Sequence, residues 1–320
     1  MAVQLKHAGA DAEEHVKLLA SKIGGDRRSA AMLYWMGQAG AHALASRLGE
    51  ESDNLSHQMA IAFLLAAGDE GIVALDTALG GADALARRNA AEALAAAGEP
   101  GSDALVSRLQ DPSTEVRLCA AYGLSRMPSL SRSAALALAG RLEDDGVRDF
   151  AAQALSLRSD LGASALAIQL ASPQKEAQVQ AAASLRLLGE TGARAAADML
   201  SHENSGGRRR AADLLVSMGP VGAKALAPCL CDTHGDVRRR AAEALGRMGE
   251  AAASEVKALA RLLEDPDPYA RISAARALRS DGLREAARAA RVSEDRIEAA
   301  LDSRQVPARA RRPRWASAQD

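Results

Sequence analysis

The sequence predicts an all-α protein, a right-handed α-solenoid of about nine antiparallel helical hairpins plus capping helices. Three observations lead there. A segment of about 30 residues recurs along most of the chain, the mark of stacked supersecondary units. Apolar residues make up 48% of the 320 but aromatic ones only 2%, with alanine filling much of the difference. Alanine is the best helix former, whereas a conventional core relies on large rings for burial. Within each copy, the apolar residues fall at helical spacing.

The unit is clearest in "DVRRRAAEALGRMG" (Asp236–Gly249), where Val237, Ala241, Leu245 and Met248 share one helix face. It returns as "EVRLCAAYGLSRMP" (Glu115–Pro128), "GVRDFAAQALSLRS" (Gly146–Ser159), "GGRRRAADLLVSMG" (Gly206–Gly219) and "YARISAARALRSDG" (Tyr269–Gly282). Weaker copies are "LARRNAAEALAAAG" (Leu85–Gly98) and "EAQVQAAASLRLLG" (Glu176–Gly189). The central leucines are Leu33, Leu64, Leu94, Leu124, Leu155, Leu185, Leu215, Leu245 and Leu278, spaced 30 to 33 residues apart. Glycine follows four residues later at Gly37, Gly68, Gly98, Gly189, Gly219, Gly249 and Gly282. That position suits a left-handed residue that stops a helix.

Taken in order, Asp11–Ile23 reads as the first helix of the leading unit. Between anchor helices lies a shorter apolar pattern, as in "GSDALVSRL" (Gly101–Leu109), "GASALAIQL" (Gly162–Leu170), "GARAAADML" (Gly192–Leu200) and "GAKALAPCL" (Gly222–Leu230). Short turns lead back to the next anchor helix: "QDPST" (Gln110–Thr114), "EDDG" (Glu143–Gly146), "CDTHG" (Cys231–Gly235) and "EDPDP" (Glu264–Pro268). Asp before Pro, and Asp or Ser before an apolar run, are helix-stop and N-cap signals. A hairpin of this size cannot bury its own apolar face, so the units must stack. Asp281–Ser303 reads as a charged closing helix pair, which makes residues 1–303 a single array. Residues 304–320, with two prolines and five arginines, read as a disordered tail.

A helix, an Asp-Pro turn and then Val-Arg-x-x-Ala-Ala-x-x-Leu-x-x-x-Gly resembles the HEAT repeat. The short, alanine-rich form is similar to the HEAT-like repeats of phycobilisome bilin lyase subunits, over roughly residues 10–300. The resemblance implies a ladder in which a turn aspartate meets the arginine of the Val-Arg pair from repeat to repeat. The matching arginines are Arg87, Arg117, Arg148, Arg208, Arg238 and Arg271, and the candidate aspartates Asp111, Asp232 and Asp265. At His57 and Gln178 the ladder should be interrupted.

No apolar run approaches the ~18–20 residues of a membrane span, and the first 25 residues contain no apolar signal core. Three cysteines (Cys119, Cys229, Cys231) form no disulfide framework, which fits a reducing, cytoplasmic location. The run Arg309–Arg314 reads as a nuclear-import or anion-binding patch, or as a solubilising tail. Charge is unevenly spread: residues 1–105 carry 8 basic and 14 acidic side chains, and residues 206–320 carry 22 and 16. Opposed ends permit head-to-tail self-association.

No phosphate loop, nucleophile elbow or His-x₃-His pair is present, so no catalytic residues, cofactor or metal are assigned. The six histidines (His7, His15, His42, His57, His202, His234) are scattered. Among HEAT-like proteins, deoxyhypusine hydroxylase binds a di-iron centre through several His-Glu pairs, and this chain has one, His202-Glu203. Cys229, Cys231 and His234 fall short of the four ligands of a structural zinc site, and the repeat register places Cys229 at a solvent-facing position.

The family binds along the surface lined by the anchor helices, whose exposed positions lie six and two before the leucine and two after it. This stripe includes Leu118 and Tyr122, the best apolar contacts, and Arg209, Arg239, Arg247 and Arg276. Arg209 and Arg239 stand four residues before Asp213 and Glu243, ordinary helix pairs, whereas Arg210 and Arg240 lack an evident local role. The arginine triplets therefore read either as a solvated helix edge or as a basic groove for an acidic or amphipathic protein segment. Nucleic acid is disfavoured by a pI near 6.6 and few aromatics to stack on bases. The expected function is a non-catalytic protein-interaction scaffold. The alternative, implied by the resemblance, is a bilin-lyase-like or chaperone-like role in chromophore attachment.

Overall fold

The computed structural model of the protein describes residues 32–33, 35–49, 54–157 and 159–302. The helix expected over Asp11–Ile23, the residues His7, His15 and Ser303, and the tail with Arg309–Arg314 lie outside them. Every regular element among the described residues is helical. The α-helices are α1 (Gln38–Ser46), α2 (Asn54–Ala66), α3 (Asp69–Leu79), α4 (Ala84–Ala96), α5 (Glu99–Arg108), α6 (Thr114–Arg126), α7 (Arg132–Ala139), α8 (Arg148–Ser156) and α9 (Ser159–Gln169). They continue as α10 (Lys175–Leu187), α11 (Glu190–Asp198), α12 (Ser205–Ser217), α13 (Pro220–Leu226), α14 (Gly235–Met248), α15 (Val256–Arg261), α16 (Pro268–Arg279), α17 (Asp281–Ala289) and α18 (Glu294–Leu301). The chain forms two compact units, Met1–Ala165 and Leu166–Asp320, divided within α9.

Each unit is a stack of the expected hairpins. The even-numbered helices up to α16 carry the leucine anchors, and they pack on one another: α4 on α6 and α6 on α8 in the first unit, α12 on α14 and α14 on α16 in the second. Leu64, Leu94, Leu124, Leu155, Leu185, Leu215 and Leu245 are wholly buried, each contributing about 1.5–3 kcal/mol of hydrophobic stabilisation. Alanines occupy the remaining contact positions, among them Ala90, Ala120, Ala151, Ala211, Ala241 and Ala274, also with no exposure.

The inter-helix glycine differs from expectation in detail. Gly219 has φ 59° and ψ −135°, positive in φ but far from the left-handed helical region. This is the first central position of a type II′ turn, open to glycine and costly for other residues. Gly219 directly follows the C-cap of α12 and is the N-cap of α13, so one residue reverses the chain between two helices. Five other copies share the positive φ, but Gly282 does not. Gly282 is instead demanded by packing: a Cβ there would lie 2.6 Å from the Gly249 Cα.

A second glycine, seven residues past the anchor, went unexplained by the sequence pattern. At Gly222 a Cβ would stand 2.0 Å from the carbonyl oxygen of Leu215, and in Gly40, Gly71, Gly101, Gly162 and Gly192 the same atom would be 1.8–1.9 Å from the matching anchor carbonyl. Only a residue without a side chain allows the first turn of the next helix this close. After the Leu245 anchor the position holds Ala252, and there the chain runs as a 3₁₀ helix over Gly249–Glu255 before α15.

The Val-Arg arginine has a different main task from the one the resemblance implies. In every described copy this side chain donates to carbonyls of its own turn, six and five residues back. Arg238 Nη1 reaches Asp232 O at 2.7 Å and Thr233 O at 3.1 Å. Arg208 reaches His202 and Glu203, Arg87 reaches Gly81 and Ala82, Arg117 reaches Asp111 and Pro112, and Arg271 reaches Asp265 and Pro266. Arg148 does the same to Leu142 and Glu143 through Nε and Nη2. Gln178 keeps the same turn bond, its Nε2 donating to Ser172 O at 2.6 Å. The side chain of His57 lies outside the described residues.

Among the described residues, the repeat-to-repeat ladder consists of two rungs. Arg238 makes a two-pronged contact with Asp265, Nε to Oδ2 and Nη2 to Oδ1, both 2.7 Å, with side-chain exposures of only 12% and 8%. Arg117 Nε meets Asp144 Oδ2 at 2.7 Å. Asp144 was not among the expected partners, and Asp111 and Asp232 take no rung. Asp111 pairs with Arg108 at 3.1 Å and Asp232 with His234 at 3.1 Å. All four aspartates accept the backbone N–H two residues on, an Asx-type turn that competes for the carboxylate.

Four outcomes follow from this packing. Gly222→Ala forces the α13 backbone off the Leu215 carbonyl, and urea unfolding should show about 1–3 kcal/mol of destabilisation. Arg238→Ala leaves Asp265 buried and unpaired and should cost about 3–5 kcal/mol; Arg271→Ala, which breaks turn bonds only, should cost about 1 kcal/mol per net hydrogen bond. Hydrogen bonding to Arg117, aided by the Gly146 N–H, holds the Asp144 carboxyl below the usual aspartate range. A depressed folded-state value means this stabilisation is fully present above about pH 4 and is lost as pH falls through the folded value. Arg117→Gln should therefore flatten the stability–pH slope below about pH 4 in acid titrations followed by circular dichroism.

Candidate interaction surface

The anchor helices of each unit present the positions six and two before the leucine and two after it. In the first unit they form a bonded cluster. Tyr122, on α6, donates its hydroxyl to Glu92 on α4. Its ring meets the Phe150 ring of α8 edge-on at 5.7 Å and 89°, and the Arg88 guanidinium lies 5.2 Å from the ring centroid. Cation–π and edge-to-face contacts of this kind bind three successive helices together. Leu118 is likewise half-buried. The prominently exposed apolar residues on this register are Trp35 at 72%, Leu157 at 62%, Val179 at 55% and Leu187 at 86%. The register places Val179 and Leu187 outward, six before and two after the Leu185 anchor.

The arginine triplets of the second unit separate by position. Arg210, thought to lack a local role, donates from Nε to Leu170 O at 2.7 Å and so caps a carbonyl just past the C-terminus of α9. Arg240 is also turned inward, with 20% side-chain exposure and Asp236 at 3.6 Å. Burial, and next the like charge of Arg208, pull its guanidinium below the usual arginine value. Both residues stand five before an anchor, a position that stacking half-buries, so neither is an outward contact. Arg239 is held by Glu243 at 2.8 Å and Asp236 at 3.5 Å.

The outward residues make a chain of ion pairs. Arg247 of α14 reaches Asp213 of α12 at 2.7 Å, and Arg209, 85% exposed, stands 3.9 Å from the same carboxylate. Arg186 of α10 donates to Ser217 of α12 at 2.9 Å. Glu243 accepts from Ser273 of α16 at 3.1 Å. Between α14 and α16 lies a groove of about 380 Å³, lined by Glu243, Arg247, Ser273 and Arg276 and floored by Gly246 and Ala277. A Cβ on Gly246 would be 2.9 Å from Ala277, so the small pair sets both the close helix approach and the groove's depth. Arg276 is exposed and has no carboxylate partner among the described residues.

The reactive-looking residues are quiet. Cys229 is not solvent-facing: its thiol approaches Ala225 O at 3.9 Å, and burial pushes its pKa up to about 11. A thiol held protonated is a poor nucleophile and metal ligand. Burial also raises Cys119, while Cys231 is exposed. No group of three or more His, Cys, Asp or Glu placed to hold a metal ion occurs among the described residues. No helix among them is long and apolar enough to cross a membrane.

Stacked hairpins with turn-closing arginines and a side-chain stripe on the anchor helices define a helical-repeat protein. The family model for HEAT repeats matches residues 72–157 and 223–301, just over half of the chain, and the chain belongs to that family. Solved structures match at low identity and low TM-score. An engineered protein matches at 21% identity and TM-score 0.29, covering 94% of this chain and 97% of its own. Human deoxyhypusine hydroxylase in complex with glycerol matches at 20% and 0.29, covering 78% and 97%. The karyopherin Kap121p bound to the SUMO protease Ulp1p matches at 14% and 0.37, covering 92% of this chain and 39% of that one. No curated protein matches the chain.

Proposed function

We propose that the protein is a non-catalytic interaction scaffold that binds an acidic, amphipathic protein segment along the anchor helices of its second unit. The observation carrying this reading is Arg276, an exposed guanidinium without a carboxylate partner, standing over the groove between α14 and α16. Arg209 supplies a second accessible positive charge; among the described residues its ion-pair contact is a long one shared with Arg247. Val179 and Leu187 supply an apolar edge on α10. The anchor helices α12, α14 and α16 pack in succession, and α10 is tied to α12 through Arg186 and Ser217, giving a face along which a 20-residue helix of ~30 Å can lie. Asp213 and Glu243 interrupt the positive charge, and none of these contact residues is aromatic. Both features favour a protein segment over a nucleic acid, which needs a continuous basic track and stacking platforms. Of the arginines singled out in the sequence, Arg209 and Arg276 are the contacts. Arg239 and Arg247 frame the site through their ion pairs.

The test is fluorescence anisotropy with an acidic amphipathic helical peptide of about 20 residues, read against a basic peptide of equal length. Arg209→Glu/Arg276→Glu should weaken binding at least about tenfold, and Leu187→Glu by a similar factor, each exceeding about 1.4 kcal/mol. Arg88→Glu in the first unit should leave it unchanged. Equal affinity of wild type and the double charge reversal, or equal binding of both peptides, rejects the proposal.

A further inference from the structure

A second concavity, away from the anchor-helix groove, closes the end of the second unit. It measures about 280 Å³ and lies between the end of α16, the outer face of α17 and the start of α18. Its base is apolar, built on Leu278, Ala287 and Ile297, each at most 3% exposed. Its rim carries Arg279, Arg284 and Arg288 against a single carboxylate, Glu294. Arg284 and Arg288 are four residues apart on α17 and share a helix face, where like charges repel. Arg284 has a long contact with the fully exposed Asp281 at 3.4 Å and donates to Arg279 O at 3.2 Å. Arg279 and Arg288 are exposed, and neither guanidinium has a partner among the described residues. Most other inter-helix arginines of this unit end on a carboxylate, as Arg238, Arg247 and Arg296 do.

The turn that completes the wall is also unusual. Arg291 is the non-glycine residue with positive φ among the described residues, at 59°. Its N–H and that of Val292 donate to Arg288 O and Ala287 O, at 2.9 and 3.0 Å. This ends α17 as glycine usually would and turns Val292 into the pocket wall. Arg291 does not itself line the pocket; its left-handed turn fixes where Val292, the neighbouring wall residue, stands.

We infer that this pocket binds a phosphate monoester with a compact apolar body. Three guanidiniums set against Glu294 and against the Asp281 beside Arg284 leave a net charge of about +1, which suits an anionic phosphate group. Guanidinium forks match phosphate oxygens two at a time, and the Leu278–Ile297 base receives the ester's apolar part. The chain following α18 has the wrong sign to fill the site, since residues 304–320 hold five arginines and one aspartate.

Isothermal titration of the full chain with phenyl phosphate and with inorganic phosphate at physiological salt tests this. Phenyl phosphate should bind about tenfold more tightly than inorganic phosphate. Arg288→Glu and Arg279→Glu should each weaken phenyl phosphate binding at least about tenfold, and Glu294→Gln should tighten it several-fold. All three residues are exposed, so circular dichroism should show unchanged helix content. Arg276→Glu, in the separate groove, should have no effect, so that failure here leaves the peptide-binding reading standing and the reverse holds too. Equal affinity for the two phosphates, or indifference to Arg288→Glu, overturns the inference.

Discussion

The close approach of one backbone to another is the constraint on which the stack depends. A hairpin of about 30 residues has too little interior to hold itself together, so its helices must sit near enough for alanine to make contact across the gap. The anchor carbonyl and the glycine seven residues on set that distance, as at Leu215 and Gly222. After the Leu245 anchor, where Ala252 holds this position, the chain runs as a 3₁₀ helix instead. The low aromatic content then follows, because large rings would prise the helices apart.

The turn arginine is the second recurring device, and its main work lies within one repeat. A loop between helices leaves carbonyls without partners, and a guanidinium reaching back six residues satisfies two of them at once. Gln178 supplies one such bond, which explains how a copy without arginine keeps the same turn. Contact with the next repeat is added only where the following turn leaves a carboxylate free. Asp265 meets that condition, whereas Asp111 is claimed by Arg108 and Asp232 by His234. A rung is therefore a local competition among donors, and the repeat consensus alone does not decide it.

Function on such a scaffold rests on departures from the repeat. Tyr122, Glu92, Arg88 and Phe150 spend their contacts on one another, so the first unit's stripe is largely internal structure. Among the described residues of the second unit, Arg276 has no carboxylate partner and Leu187 is exposed, and at the end of the stack Arg279 and Arg288 face a concavity. Each set sits on rigid helices, which suits a site that must be preorganised.

By itself the sequence determined the helical class, the repeat length, the buried leucines and the chain reversal at glycine. Those properties arise from helical periodicity and local backbone preference, and neighbours in sequence are enough to express them. It also marked the register of the outward stripe, from which Val179 and Leu187 are readable. Only the tertiary structure decided which arginines face outward. Arg210 and Arg240 look free in the sequence because the groups that hold or bury them, such as the Leu170 carbonyl 40 residues away, come near only on stacking. The same holds for Asp144 as a rung, for the Gly222 contact and for the arginine-rimmed pocket. A one-dimensional pattern specifies which face a side chain takes on its own helix, whereas its partners across the helix interface are set by packing distance.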